Sequence, residues 1–243
     1  MINRKAVLIG NSGGYRSLKL LKGVKIDIEN YQTFLKSSSG GQWYENEIIT
    51  LNEPDSERLI NTIANIKSDY CFVAFCGHGQ INSFTKQDYI CLKDQDVYIN
   101  NLVSKSDRQT IVLDVCRNIE TNLPEIDSTF LTENLPILNE SNTTRNIYDN
   151  AIEKTPKGII LVYSTLPFES GSEDIKRGGH FTYSLIKAGY EWGANKKNGI
   201  LSLDLAIEMS ELIMKNTFTS NQKPIMGGQV RRLTFPPFAC SRK

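Results

Sequence analysis

Five short runs of the chain are apolar at nearly successive positions: "KAVLIG" (5–10), "EIITL" (47–51), "YCFVAFC" (70–76), "TIVLDVC" (110–116) and "GIILVYS" (158–164). Strands covered on both faces have this pattern, whereas a strand with one wet face alternates. Between the first two runs, Val24, Ile28, Tyr31 and Leu35 recur at helical spacing. Between the next two, Leu59, Ile63 and Ile66 do the same behind "EPDSE", in which Pro54 and the acids suit a first helical turn. Strand and helix in alternation predict an α/β fold with a mainly parallel sheet and helices on its faces. Past residue 164 the pattern predicts helices from about Phe181 to Trp192 and from about Leu203 to Lys215, the second capped by Ser202. A final strand, "QVRRLTF" (229–235), is closed by Pro-Pro.

The stretch from Arg117 to Lys157 breaks the pattern. It is polar, carries "NESNTTRN" and several prolines, holds no sustained period, and reads as a long surface loop. The 243 residues suit one large domain, here 1–243, with 1–116 and 158–243 on either side of that 117–157 linker.

Lys and Arg total 28 against 27 Asp and Glu, a net +1 that offers nucleic acid or an anionic membrane no general attraction. No apolar stretch reaches membrane-spanning length, and "MINRKAVLIGNSGG" meets a glycine turn too early for a signal peptide. The five cysteines are odd in number and lack a C-x-x-C pair, which favours a reducing, cytoplasmic setting. Cys71, Cys76 and His78 make a poor zinc site, because neighbours on one strand point to opposite faces and a fourth ligand is missing. Neither a metal nor a cofactor is expected.

Parallel α/β sheets bind their ligands beyond the carboxyl ends of the strands. Two blocks fall there: Gly77, His78 and Gly79 after the third run, and Cys116 at the end of the fourth. An imidazole within reach of a thiol can take its proton and later protonate a leaving amine. The N–H groups of Gly79 and Cys116 would suit the oxyanion of a tetrahedral intermediate. Taken alone, a Cys at the end of a buried strand such as Cys116 is more often a small hydrophobe than a nucleophile. His180, the other histidine, opens the amphipathic "GGHFTYSLI" segment and reads as a surface or capping residue.

Together, "AVLIGNSGGYRSLKLLKGVKIDIENYQTFL", the "GHG" block, "LDVCRN", "VYSTLPFES", "GGHFTYSLI" and "KPIMGGQVRRLTF" resemble, in order, the caspase-like cysteine peptidases: caspases, paracaspases and metacaspases. The resemblance spans nearly the whole chain. It implies a three-layer αβα sandwich around about six strands, with His78 as general base and acid, Cys116 as nucleophile and Gly79 in the oxyanion hole. It also places Asp27, Asp114, Ser164 and Glu173 at substrate-binding positions. Glu173 stands where caspases supply a pocket arginine, and Asp114 and Asp27 stand where basic-specific relatives carry acids. A charge inside "IVLDVC" is costly unless paired or ligand-bound, which agrees with that role for Asp114.

The implied substrate is a protein or peptide with Arg, or else Lys, before the scissile bond, since paired carboxylates accept the guanidinium fork. Relatives often cut their own linker, which makes Arg145, and less so Lys154, candidate processing sites. Cys76 departs from the small hydroxyl or alanine that many relatives carry before the glycine-histidine pair. Asp94 and Asp96 only faintly echo the calcium cluster of metacaspases and read better as a turn, so the pattern lies nearer paracaspases and prokaryotic caspase-like proteases. The last strand offers a homodimer edge, as in caspases, or equally a charged, protected edge. Competing readings are an aspartate-specific caspase, a non-catalytic caspase-fold interaction module and, more weakly, a flavodoxin-like nucleotide module, whose phosphate-loop patterns are absent from "IGNSGG".

Overall fold

The computed structural model describes residues 2–13, 18–117, 143–195, 199–228 and 234–241. The chain begins with β1 (Arg4–Asn11), α1 (Val24–Lys36), β2 (Ile48–Asn52), α2 (Ser56–Ala64) and β3 (Tyr70–Gly77). Three short strands follow, β4 (Gly79–Ile81), β5 (Asp88–Cys91) and β6 (Asp96–Tyr98), and then β7 (Arg108–Asp114). The later part holds α3 (Thr143–Lys154), β8 (Gly158–Tyr163), β9 (Glu173–Asp174), β10 (Gly178–Gly179), α4 (His180–Ala194), β11 (Ile200–Ser202), α5 (Leu203–Phe218), β12 (Ile225–Gly228) and β13 (Pro237–Cys240).

Six strands form the central sheet in the order β12-β8-β7-β3-β1-β2. Five run parallel, and β12 closes one edge antiparallel to β8. Alternation along the strands splits the core into two layers. Ala6, Leu8, Phe72, Ala74 and Val112 pack with Ile28 and Tyr31 of α1, Phe181 and Leu185 of α4, and Ala206 of α5. Val7, Ile9, Val73, Phe75, Ile111 and Leu113 pack with Leu59 and Ile63 of α2 on the other face. Asp114 continues the Val112 series, so the strand aims it at the α1 and α4 side.

The expected linker is partly wrong. Residues 143–154 form α3, whose buried face carries Thr144, Arg145, Tyr148, Asp149 and Ile152. Arg145 is 3 % exposed, donates at 2.9 and 2.6 Å to the two carboxylate oxygens of Glu47, and lies 3.8 Å over the Tyr44 ring. A proteolytic site needs an accessible segment that can be drawn out, and a buried helical arginine offers none, so Arg145 is corrected from a processing candidate to a structural residue. Lys154 is exposed but belongs to the last turn of the same helix. Fully buried Arg4 joins the cluster, 3.2 Å from Asp149 and 4.4 Å over the Trp43 ring, and so fastens α3 to the start of β1.

Two smaller corrections concern the end of the chain. Ser202 occupies the N-cap position of α5, but its side chain makes no capping bond. Residues 229–233 of the expected "QVRRLTF" strand, and with them the dimer edge it offered, lie outside the described residues. Among the described residues β12 forms that sheet edge, and Pro237 starts a strand rather than closing one, β13 pairing with β11.

Candidate active site

The parallel register of β3 on β7 runs from Tyr70 opposite Arg108 to Cys76 opposite Asp114, a constant offset of 38 residues. His78 and Cys116 differ by the same 38 and follow the ends of β3 and β7 by one and two residues, so both lie at the sheet's carboxyl end. Packing agrees: a Cβ on Gly79 would lie 2.9 Å from Val115 Cβ, so only a bare backbone lets the histidine block settle on the cysteine block. Cys116 is half-buried and in no disulfide.

His78 Nε2 lies 2.7 Å from the Lys19 carbonyl oxygen. A carbonyl can only accept, so Nε2 carries the proton and Nδ1 is left as the basic nitrogen. Nothing in the residue type of Lys19 signals this, because only its backbone takes part. Cys91 N donates to His78 O at 2.9 Å, which makes the neighbouring Gly79–Ile90 pair the non-hydrogen-bonded one. The Gly79 N–H therefore points away from β5, the orientation an oxyanion donor requires.

The segment carrying Cys116 is braced from two sides. Ser164 Oγ accepts from Val115 N at 3.1 Å and donates to Val115 O at 3.2 Å. Ser164 is thus fully buried beneath Val115, the neighbour of Cys116, and is not among the residues lining the cleft. Arg117 forks onto Asp88 at 2.9 and 3.1 Å, stacks 3.9 Å over Tyr163, and donates its backbone N–H to Glu169 O at 2.9 Å. Since Asp88 belongs to β5, the strand that pairs with Gly79, this ion pair ties the cysteine block to the histidine block. Nothing in the sequence pattern around Arg117 or Asp88 signals this pairing.

Beside Cys116 opens a small cleft of about 40 Å³, lined among others by Asp27, Asp114, Ser172, Glu173 and Gly179. Asp27, on α1, receives the Gly179 N–H at 2.9 and 3.1 Å from its two oxygens. Asp114 Oδ2 accepts from Thr182 N at 3.1 Å and Thr182 Oγ1 at 2.7 Å. Glu173 accepts from Gly23 N at 2.8 Å and Lys22 N at 3.2 Å, where α1 begins. Burial, and then the charge of Asp114, holds the Asp27 carboxyl well above the ordinary carboxylate range. Burial also raises Asp114, against the opposing pull of the Thr182 donors.

Other residues take roles apart from the cleft. His180 is 4 % exposed, not a surface residue; it opens α4 but stacks on Phe218 at 4.0 Å, and neither ring nitrogen has a hydrogen-bond partner among the described residues. Burial lowers its pKa to about 4. Cys76 is buried among apolar residues, and burial pushes its thiol well up, so it is a poor nucleophile. Asp94 sits in the turn between β5 and β6 and accepts from Ser56 N and Oγ at the start of α2, a capping role. Among the described residues no group of three or more His, Cys, Asp or Glu could hold a metal, and no helix is long and apolar enough to cross a membrane.

Comparisons with known proteins agree with this architecture. The family described as the caspase domain matches residues 3–231. Caspase-1 of Spodoptera frugiperda, a solved structure, superposes with a TM-score of 0.64 at 16% identity, covering 96% of this chain and 89% of that one. No curated protein matches the chain. With its matched residues running almost end to end and a six-stranded sheet of the same fold, the chain belongs to the caspase-domain family of cysteine peptidases.

Proposed function

We propose that the protein is a cysteine endopeptidase that cuts after arginine, or lysine, through a thioester on Cys116. The observation that carries this reading is that one cleft is lined by Cys116 together with Asp27, Asp114 and Glu173. A carboxylate offers about four acceptor sites. Asp27 meets one N–H, and Asp114 meets two donors from Thr182 and the Ser164 side chain, so each keeps acceptor capacity beyond these bonds. A guanidinium can use that capacity with its fork, whereas a substrate carboxylate would meet only like charge.

In the proposed mechanism His78 Nδ1 takes the Cys116 proton as Sγ attacks the scissile carbonyl. The carbonyl oxygen becomes an oxyanion between the N–H groups of Gly79 and Cys116. The carbon–nitrogen bond then breaks, and the proton on His78 passes to the leaving amine. Water next gives His78 a proton and attacks the thioester, and the returning proton restores the thiol as the new carboxylate leaves. The Lys19 carbonyl keeps the imidazole in the required tautomer throughout.

A thiol-reactive peptide ending in Arg tests this reading, with mass spectrometry locating the adduct. The expected result is stoichiometric label on Cys116 and none on a Cys116→Ala variant. Label from the matching Asp peptide alone would support an aspartate-specific caspase, and no label from either would support a non-catalytic module.

A further inference from the structure

Gln222 lies on the connection between α5 and β12, far in sequence from the residues of the cleft, and is 7 % exposed. Its amide spans two parts of the site. Nε2 donates to the Ser164 carbonyl at 2.9 Å, and Oε1 accepts from Ser172 N at 3.2 Å. Ser172 belongs to the cleft wall, and Ser164 holds both the N–H and the C=O of Val115, the residue before Cys116. Gly171 closes the arrangement: a Cβ there would have Val115 O at 3.8 Å, Gln222 Nε2 at 3.9 Å and Ser164 Oγ at 3.9 Å as its nearest neighbours. Wall, amide, serine and nucleophile strand thus form one continuous contact.

We propose that Gln222 is a positioning residue that sets the cleft wall at a fixed distance from Cys116, so that a substrate side chain seated against the wall brings its carbonyl to the thiol. The proposal rests on the reading of Cys116 as nucleophile and of the cleft as the pocket for the residue before the scissile bond. Its two ends act differently. The Oε1 end orders the wall and so acts on substrate binding, while the Nε2 end stiffens Ser164 under Val115 and so acts on the chemical step. A side chain that merely filled space would affect neither separately.

Gln222→Met, which keeps the volume and removes both hydrogen bonds, and Gln222→Glu, which keeps an acceptor for Ser172 N but gives Ser164 O no donor when ionised, test it in the full chain. With an Arg peptide as substrate, the Met variant is expected to raise KM and to lower kcat, each by up to about tenfold, the range of one lost neutral hydrogen bond. The Glu variant should recover KM while kcat stays low. Adding Ser164→Ala to Gln222→Met should cost less in kcat than the two single changes multiplied, because both act through Val115. A drop in melting temperature with kcat and KM unchanged per folded molecule would overturn the proposal. If the wild-type protein cleaves no Arg peptide, the pocket reading fails and takes this proposal with it. If it does cleave them and Gln222→Met matches it, the proposal alone fails.

Discussion

Asp27 and Asp114 face one another across the backbone of Gly179, one reaching down from α1 and the other out from the end of β7. A Cβ on Gly179 would collide with Asp114 Oδ2 and lie 3.4 Å from Asp27 Oδ2. Burial raises both carboxyls, the charge of Asp114 raises Asp27 further and that of Glu173 raises Asp114, and a cation between them relieves the cost of ionisation. Asp27→Asn and Asp114→Asn should therefore each lower kcat/KM for Arg peptides at least about 30-fold, mainly through KM, as expected for truncating a buried charge pair. Because both pKa values are raised, the acids become neutral at a higher pH than ordinary carboxylates do, so wild-type kcat/KM should fall on acidification before ordinary carboxylates titrate, as attraction for the cation is lost. Steady-state kinetics across pH checks both points, and Asp114→Asn should flatten that acidic limb.

Gly179 itself is open to a sharper test. Its backbone, at φ −59 and ψ 136, is one that alanine adopts readily, so any harm from Gly179→Ala comes from the missing space and not from conformation. The expected outcome is loss of Arg-peptide turnover with retained alkylation of Cys116 by iodoacetamide, since the thiol lies outside the collision. Unchanged turnover would place the substrate's side chain elsewhere.

The linker offers an internal assay of specificity. Residues 118–142 contain no Lys or Arg, and Arg117 and Arg145, which flank them, are buried in ion pairs. An enzyme directed to basic residues should keep its own linker intact, and the purified active protein should retain its full mass on incubation. Thr132→Arg should create a cut, seen as two fragments that Cys116→Ala abolishes. An aspartate-directed enzyme would instead find Asp127, and a wild-type fragment ending there would contradict the basic pocket.

His180 predicts an acid sensitivity that belongs to the fold. Its ring is buried neutral, with a pKa lowered to about 4 against roughly 6.5 in an unfolded chain. Below pH 6.5 the unfolded state takes a proton that the folded state refuses. Stability is therefore lost progressively down to about pH 4, by about 3 kcal/mol at most. His180→Phe keeps a ring on Phe218 and removes the titration, so its melting temperature should gain on the wild type by several degrees between pH 7 and pH 4.5. A difference that stays constant across that range would contradict the assignment.

Much of this was readable from residue order. The doubly covered strands announced the parallel sheet, and the 38-residue spacing of the two blocks equals the offset between β3 and β7, whose carboxyl ends carry them. Helix α3 escaped because its buried face mixes Tyr148 and Ile152 with Arg145 and Asp149, and a stripe half made of ion-paired residues has no apolar period. His180 was misjudged because Phe218, its stacking partner, comes from a distant helix. The Lys19 carbonyl could not be found at all, since any residue type supplies a carbonyl, and Gln222 works through an amide whose two partners are both backbone.

The central claim is that the acids beside Cys116 choose the substrate, and matched fluorogenic tetrapeptides differing only in a terminal Arg, Lys or Asp measure it directly. The account predicts hydrolysis of the Arg peptide, with or without Lys, no detectable hydrolysis of the Asp peptide, and loss of all turnover in Cys116→Ala. Hydrolysis of the Asp peptide alone, or turnover that survives Cys116→Ala, would contradict it.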